Sequence, residues 1–406
     1  MPTTFAYKVR DQGGNIVEGS LEADDASLVA GKLRQLGYTP IAIEQKSSKS
    51  LSSEISIPGF SGRIKLKDTA VFSRQFATMI NSGLSLIRAL AILAEQTENP
   101  QLAKVAGDVR LDVERGSSLS AALTKHPKVF NHLYIAMVKS GEAGGVLDAV
   151  LTRLANTIEK QVELRRKIKS AMTYPIVVLV ICSVIATAML LLIVPQFKAI
   201  YADLGGTLPL PTRILISVSD LLKKFFPIFI VLGGAGGYAF RRWIKTDQGR
   251  PKWDAFKLRV PVGGTLVRKA GLARFSRTLA ALTRSGVGIL EALDIVAETS
   301  GNEVISVAVR ETQGAVKRGD TLSRPLSQHE VFPPMVVQMI AVGEETGALD
   351  EMLDKIADFY DQEVSATVDA LTSLIEPMLI VVMGVIVGGM IISLYLPMFN
   401  IIKLIK

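Results

Sequence analysis

The string FSRQFATMINSGLSLIRALAILAEQTEN, beginning at Phe72, returns 203 residues later as FSRTLAALTRSGVGILEALDIVAETSGN, beginning at Phe275. Twelve of the 28 aligned positions are identical, whereas chance would give about two. After a one-residue deletion, MVKSGEAGGVLDAVL from Met137 matches MIAVGEETGALDEML from Met339 at an offset of 202. A long fixed period outranks local signals in assigning architecture, so we predict two copies of one structural unit.

Each copy ends in a long apolar stretch. Residues 170–197 and 377–402 contain no charged side chain, and about 20 apolar residues suffice for a helix to cross the hydrocarbon core of a membrane. The offset of 202 also places Pro175 on Pro377. Each unit is therefore predicted to be a water-soluble helical bundle followed by one transmembrane helix.

A third apolar stretch, residues 225–240, has only 16 residues. At about 1.5 Å per residue it falls short of a hydrocarbon core of roughly 30 Å. It reaches Val218 if Lys223 and Lys224 extend to the headgroups; the alternative is a buried core helix. Duplicated units are expected on the same side of the membrane, and each is followed by a crossing helix. The chain must return between them, which favours a true span.

The amino-acid composition limits which metal sites and active sites the chain can contain. The 406 residues are 49% apolar and include one cysteine and three histidines. Cys182 alone excludes a disulfide framework and a multi-cysteine metal site. The sequence has no HExxH, GxSxG or CxxC motif, and its one Gly-Lys pair, Gly31-Lys32, lacks the upstream glycine of a phosphate-binding loop. We predict no cofactor, no metal site and no enzymatic activity.

The predicted spans argue against a transporter. Their apolar stretches, residues 170–197, 225–240 and 377–402, contain no Asp, Glu, Lys, Arg or His, and Glu376 stands at the edge of the last one. Proton-coupled transporters bury acidic residues in the membrane. His126 and His329 precede the same short segment in the two units and are interpreted as turn or core residues.

The position of the basic residues predicts the orientation in the membrane. Ten of them fall between Arg241 and Arg274, against only Asp247 and Asp254. Because cytoplasmic segments near spans are enriched in Lys and Arg, both units are predicted to be cytoplasmic and the C-terminus external. Contact with anionic lipid explains this basic surplus better than nucleic-acid binding. A further basic cluster precedes the first span: Arg165, Arg166, Lys167 and Lys169.

Residues 1–46 differ in pattern from the rest. Two alternating stretches flank a turn at residues 12–15, residues 24–35 have helical spacing of apolar side chains, and TPIAIEQ forms a third predicted strand. We predict a small ββαβ domain. Its first residues, MPTTFAYKVRDQGG, lack the apolar core of a cleaved export signal. Residues 47–62 are rich in Ser, Gly and Pro, which is typical of a flexible linker.

The predicted fold is mainly α: a polytopic membrane protein with three transmembrane helices, two duplicated cytoplasmic all-helical bundles and the small N-terminal ββαβ domain. The last helix of each unit is expected to continue into its span. Four glycines are expected to end helices: Gly83, Gly116, Gly286 and Gly319. In chain order, the predicted segments are the N-terminal domain (1–46), the linker (47–62), the first repeat (63–169), the first span (170–197), an external loop (198–217), the second span (218–240), the second repeat with its basic connector (241–375), the third span (376–397) and an external tail (398–406).

Both units contain the motif Gly-Glu-x-x-Gly between two apolar helices, as residues 141–145 and 343–347. One interpretation is a tight turn in which the glycines take positive φ and Glu142 or Glu344 caps the helix that follows, near Leu147 or Leu349. The other interpretation is a contact surface for a partner protein. The two are compatible.

At these residues the sequence closely resembles the type II secretion F family, the inner-membrane platform proteins of type IV pilus and type II secretion machines. The resemblance covers the whole chain. It rests on RQFATMINSGL from Arg74, the two Gly-Glu-x-x-Gly motifs, the Tyr174-Pro175 pair, LPLPTRIL from Leu208 and LPMFN near the end. The second unit departs from this pattern where Thr278 replaces Gln75, so the two halves have room for different roles.

The resemblance implies a platform that couples a cytoplasmic hexameric ATPase to insertion or removal of pilin subunits at the filament base. The alternative is the equivalent platform of a type II secretion system, which handles pseudopilins. In either case the partner hydrolyses ATP. The resemblance also implies other inner-membrane assembly partners and a small homo-oligomer, a dimer or trimer.

Three groups of residues are candidates for this role. Candidates for partner contact are Arg74, Gln75, Gly141, Glu142, Gly145, Gly343, Glu344 and Gly347. Candidates for membrane or ATPase contact are the basic residues Arg165, Arg166, Lys167, Lys169, Arg241 and Arg242. Candidate hinges into the spans are Pro175 and Pro377.

Overall fold

The computed structural model describes residues 3–10, 16–23, 25–35, 37–45, 63–196, 209–261 and 263–404. The predicted hairpin turn, the predicted linker and residues 198–208 of the predicted external loop lie outside the described residues. The chain divides into two compact units, Met1–Arg63 and Ile64–Lys406.

The N-terminal unit is an antiparallel sheet of three strands, in the order β2-β1-β3, with one helix. The pairing of β1 with β3 shifts register between Lys8 and Val9. Val29 and Leu33 lie one turn apart on the helix and are buried with Val9, so one face of the helix covers the sheet. The elements are β1 (Thr3–Arg10), β2 (Ile16–Ala23), α1 (Ala26–Gln35) and β3 (Thr39–Gln45).

The larger unit contains the two repeats, each folded as a lobe of six helices. The first lobe consists of α2 (Leu66–Asn81), α3 (Leu86–Gln96), α4 (Pro100–Glu114), α5 (Leu119–Thr124), α6 (His132–Gly144) and the first part of α7 (Leu147–Ala188). Two helices, α8 (Leu210–Trp243) and α9 (Gly249–Arg259), lead to the second lobe. That lobe consists of α10 (Gly263–Arg284), α11 (Ile289–Thr299), α12 (Glu303–Lys317), α13 (Ser323–Leu326), α14 (Pro334–Thr346) and the first part of α15 (Leu349–Leu404).

Local sequence sets the helix ends at matching places in both lobes. The four glycines expected to end helices all take positive φ, between 79° and 92°. Asn99 and Asn302 cap α4 and α12: the side-chain oxygen of each accepts a hydrogen bond from a backbone N–H in the first turn. Such a cap satisfies one of the N–H groups that a helix start leaves unpaired.

Aromatic rings form the centre of each lobe. The rings of Phe72 and Phe130 lie 5.9 Å apart, and those of their equivalents Phe275 and Phe332 lie 5.0 Å apart. The buried residues of both lobes belong to one continuous apolar core. The duplication is therefore preserved in the packing as well as in the sequence.

The lobes differ at one buried polar position. In the first lobe, Ser73 Oγ donates to the hydroxyl of Tyr134 at 3.3 Å, and burial raises the pKa of Tyr134 to about 12. In the second lobe, Val336 occupies the equivalent of the Tyr134 position. Ser276, the equivalent of Ser73, is fully buried, and its Oγ has no hydrogen-bond partner among the described residues.

Two helices carry the lobes into apolar stretches. Within the described residues, Leu147–Gln196 and Leu349–Ser393 are the helices long and apolar enough to cross a membrane. Both run through their prolines without ending, and α7 changes to a π-helix over Met189–Ile193. The predicted continuation of each lobe into its apolar stretch is confirmed. The π-helix has no signal in the sequence.

Two helices extend past the predicted span boundaries. Helix α8 begins at Leu210, inside the predicted external loop, and α15 continues to Leu404, inside the predicted external tail. Residues 210–217 are helical because the first turns of α8 have a packing partner. Thr212 Oγ1 donates to the backbone carbonyl of Ser393 at 2.5 Å, and Ile216 is buried. The tail remains helical because its apolar residues contain no stop signal beyond the proline.

We expect the unpaired Ser276 hydroxyl to lower the free energy of unfolding of the chain. Replacing Ser276 with Ala should be neutral or stabilising by up to about 1 kcal/mol, because it removes a buried donor without a partner. Replacing Ser73 with Ala should cost about 1 kcal/mol, because it removes a hydrogen bond. Thermal unfolding of the full chain in detergent would measure both. Equal losses for the two variants would contradict the assigned difference.

Candidate functional site

Glu142 is hydrogen-bonded inside its own lobe. It lies in the last turn of α6, and its carboxylate accepts hydrogen bonds from the backbone N–H groups of Leu119 at 2.5 Å and Ser120 at 2.9 Å, where α5 begins. Glu344 makes the same pair of bonds where α13 begins, at 2.5 and 3.0 Å. A carboxylate here satisfies free N–H groups and complements the partial positive charge of a helix start.

This geometry corrects the predicted cap. Each acid caps the short helix that precedes it in the chain, not the helix that begins at Leu147 or Leu349. Glu142 and its two donors are separated by more than 20 residues. No local pattern reveals such a contact, because it depends on how the lobe folds back on itself.

The glycines of the motif have two different roles. Gly145 and Gly347 end α6 and α14 with φ of 67° and 72°. Gly141 and Gly343 lie inside their helices, so the prediction of positive φ is wrong for them. A Cβ on Gly343 would lie 2.9 Å from the Cα of Leu349, and one on Gly141 would lie 3.0 Å from the Cβ of Val150. These two glycines let the following long helix pack closely.

An arginine joins the first helix of each lobe to its long helix. Arg74 on α2 binds both carboxylate oxygens of Glu159 on α7, at 2.7 and 2.5 Å, which raises the pKa of Arg74. Arg277, its equivalent, binds Asp361 at 2.6 Å and Asp358 at 3.0 Å. Paired Arg–carboxylate bonds fix geometry as well as charge. The acids on the long helices are site residues that the sequence analysis missed.

The two lobes contact each other through polar groups. Ser140 Oγ donates to the carbonyl of Ser285, and Arg153 donates to the carbonyl of Arg284, each at 2.5 Å. Between the lobes lies a cavity of about 370 Å³ whose lining carries both signs of charge. We call these contacts the lobe interface. The spacing of Ser140 and Arg153 gives no sequence signal for it.

The four basic residues of the predicted cluster on α7 do not share one environment. Arg165, Arg166 and Lys169 are exposed, whereas Lys167 Nζ lies 3.7 Å from a carboxylate oxygen of Asp369 on α15. Lys167 therefore joins the two long helices close to the predicted membrane surface. An exposed pair of this kind contributes little stability by itself.

The remaining predicted residues are not brought into one site. Gln75 is exposed on α2, and Arg241 and Arg242 are exposed at the end of α8. Pro175 is buried within α7, whereas Pro377 is exposed on α15. The described part of the chain contains no group of three or more His, Cys, Asp and Glu side chains that could hold a metal ion.

The duplicated lobes correspond to a known family. Residues 72–195 and 275–397 each match the family model described as type II secretion system (T2SS), protein F. The chain belongs to the type II secretion system protein F family. Residues 1–44 match the model of that protein's N-terminal domain. The resemblance inferred from the sequence motifs is confirmed.

Relatives of this family are similar over nearly the full length. The chain is 49% identical to the type IV pilus assembly protein PilC of Thermus thermophilus, with 98% of each protein covered. It is 44% identical to the protein of the same name from Myxococcus xanthus, with 98% of this chain and 94% of the relative covered. It is 35% identical to the type II secretion system protein F of Pseudomonas aeruginosa, with 99% of each covered.

We expect Glu142 and Glu344 to stabilise their lobes. Changing either to Gln leaves one acceptor where a carboxylate served two N–H groups, which should cost about 1–3 kcal/mol. Thermal unfolding of the full chain in detergent would measure the loss. Glu345→Gln is the matched control, because Glu345 is the exposed neighbour of Glu344. If all three variants unfolded at the same temperature, the capping role would be refuted.

Proposed function

We propose that this chain is the inner-membrane platform protein of a type IV pilus assembly machine. It couples a cytoplasmic hexameric ATPase to insertion or removal of pilin subunits at the filament base, and the ATPase, not this chain, hydrolyses ATP. The full-length similarity to relatives named type IV pilus assembly protein PilC carries this proposal. Other inner-membrane assembly proteins and the bilayer complete the set of partners.

The structure suits a coupling role. Each lobe continues through one unbroken helix into an apolar stretch, so a rotation of the lobe is passed directly to that stretch. The Arg74–Glu159 and Arg277–Asp361 pairs hold each lobe to its long helix. Motion imposed on a lobe by a partner would therefore not be lost in a flexible joint. Pro175 and Pro377 lie within these continuous helices and are the points through which the rotation would pass into the spans.

We further propose three membrane spans, with the N-terminal ββαβ domain and both lobes in the cytoplasm and the C-terminus outside. Support for the returning span comes from both ends of α8. Its start packs against the far ends of α7 and α15: Ser219 Oγ donates to the carbonyl of Leu190, and Thr212 donates to Ser393. Its end carries Arg241, Arg242 and Trp243, the residue types enriched at the cytoplasmic surface of a membrane.

A second candidate is the equivalent platform of a type II secretion system. The similarity to the type II secretion system protein F of Pseudomonas aeruginosa favours it. The same lobes and spans would serve both machines, because both drive subunits out of the membrane. The two functions can be distinguished in cells, because one machine yields surface pili and the other yields folded proteins in the medium.

The proposed function predicts a clear phenotype. Deleting the gene should abolish surface pili while folded proteins still reach the medium, and the tagged chain should copurify with a hexameric ATPase. Purified alone, the chain should not hydrolyse ATP. Loss of secreted proteins with normal piliation would favour the second candidate, and ATP hydrolysis by the chain alone would contradict the platform role.

The proposed topology predicts which residues are accessible from outside. In a Cys182→Ser background, Asp203→Cys should react with a membrane-impermeant maleimide in intact spheroplasts. Glu98→Cys and Gln328→Cys, at exposed positions in the first and second lobes, should react only after lysis. Labelling of one lobe but not the other in intact spheroplasts would exclude a return crossing at α8.

A further inference from the structure

The lobe interface joins two different surfaces of the repeated unit. The first lobe contributes α6 and α7, and the second lobe contributes α10, the turn that follows it and α11. We call the first surface face A; in the first lobe it includes Ser140, which bonds to the second lobe, and Thr157, which lines the cavity between the lobes. We call the second surface face B; in the second lobe it includes Ala281, which lines the same cavity, and Ser285.

Because the unit is duplicated, each lobe carries both faces. Face A of the second lobe includes the equivalents Val342 and Phe359, and face B of the first lobe includes the equivalents Thr78 and Ser82. All of these residues are exposed, whereas their counterparts in the lobe interface are buried or half-buried. One copy of each face is therefore covered within the chain, and one copy is left open.

The open face A is apolar. Phe359 is 42% exposed where its equivalent Thr157 is 5% exposed, and Val342 is 48% exposed. The face does not lie in the membrane, since Phe359 precedes Pro377 by 18 residues, about 27 Å along a helix. An apolar surface in water is usually an interaction site.

The lobe interface is not a two-fold contact. A two-fold arrangement would repeat each contact in reciprocal form, so Val342 would meet Ser82 as Ser140 meets Ser285. Both Val342 and Ser82 are exposed, so the reciprocal contact is not made within the chain. A contact between unlike faces instead leaves one of each face free at the two ends, and such contacts continue from copy to copy as a ring or as an open filament, depending on the rotation between copies.

We propose that face A of the second lobe binds face B of the first lobe of another copy of this chain. The contact repeats the arrangement of the lobe interface, in which the same two positions of the repeated unit meet within the chain. Lys355, the exposed equivalent of Arg153, supplies a cation that donates to the carbonyl of Asn81, the equivalent of Arg284. Closure into a ring rests on the proposed topology, because it requires both lobes on one side of the membrane.

The contact is tested by cross-linking two chains in membranes. In a Cys182→Ser background, a chain with Ser82→Cys is expressed together with a differently tagged chain with Val342→Cys. Mild oxidation should link them into a dimer that carries both tags, whereas either variant alone should give at least tenfold less dimer, because like faces do not meet. Ser140→Cys with Ser285→Cys in one chain is the positive control, since Ser140 Oγ lies 2.5 Å from the carbonyl of Ser285.

Several outcomes would overturn this proposal. Self-linking of Ser82→Cys alone would indicate a two-fold contact, and a linked band of another mass would indicate a different protein partner. In a third variant that carries both Ser82→Cys and Val342→Cys, a link formed only within one chain would also exclude the contact. Absence of any link between chains while the control links would exclude it as well. The labelling of Glu98→Cys and Gln328→Cys is independent of this result, so failure of the topology and failure of the contact are distinguishable.

A charge placed on the open face gives a second measurement. Val342→Asp should weaken self-association of the full chain at least tenfold, measured as the mass of the detergent-solubilised protein against its concentration. Val307→Asp is the matched control, because Val307 is 41% exposed on α12, outside both faces. Equal effects of the two substitutions, or no effect of Val342→Asp, would contradict the proposed surface.

Discussion

Each lobe is attached to its apolar stretch by one uninterrupted helix, and the remaining interactions depend on this continuity. Helices α7 and α15 begin inside the lobes, where Val150, Leu154 and Ile158 of α7 are buried. They then run on into apolar segments whose most hydrophobic stretch has few buried residues. Apart from the hydrogen bond that Pro175 or Pro377 cannot donate, each helix keeps its backbone hydrogen bonds through the junction, so the lobe and its apolar segment move together.

The other features that the two repeats share organise each lobe around its long helix. Gly141 and Gly343 allow the preceding helix to approach it closely. Arg74 and Arg277 bind carboxylates that the long helices carry. Glu142 caps a short helix from the neighbouring turn. Most of these residues were candidates for partner contact, and in the structure they make contacts within the lobe.

Duplication gives two lobes of one fold, but tandem connection gives them different surroundings. The second lobe covers a surface of the first, and the corresponding surface of the second lobe stays open. The substitutions follow this difference: Thr157 of the covered surface corresponds to Phe359 of the open one, and buried Ala281 beside the cavity between the lobes corresponds to exposed Thr78. The sequence differences between the two repeats thus correspond to which surface is covered within one chain.

The sequence by itself determined the duplication, the helical character of the lobes, the glycine helix ends and the two apolar helices. These features follow from local or periodic patterns, which are set by the spacing of side chains along one helix. Only the tertiary structure decided what Glu142 caps, which acids bind Arg74 and Arg277, and which faces form the lobe interface. These contacts join residues tens of positions apart, and their geometry depends on how whole helices pack. The position at which α8 begins also depended on tertiary structure, because its first turns are held by packing against the ends of α7 and α15.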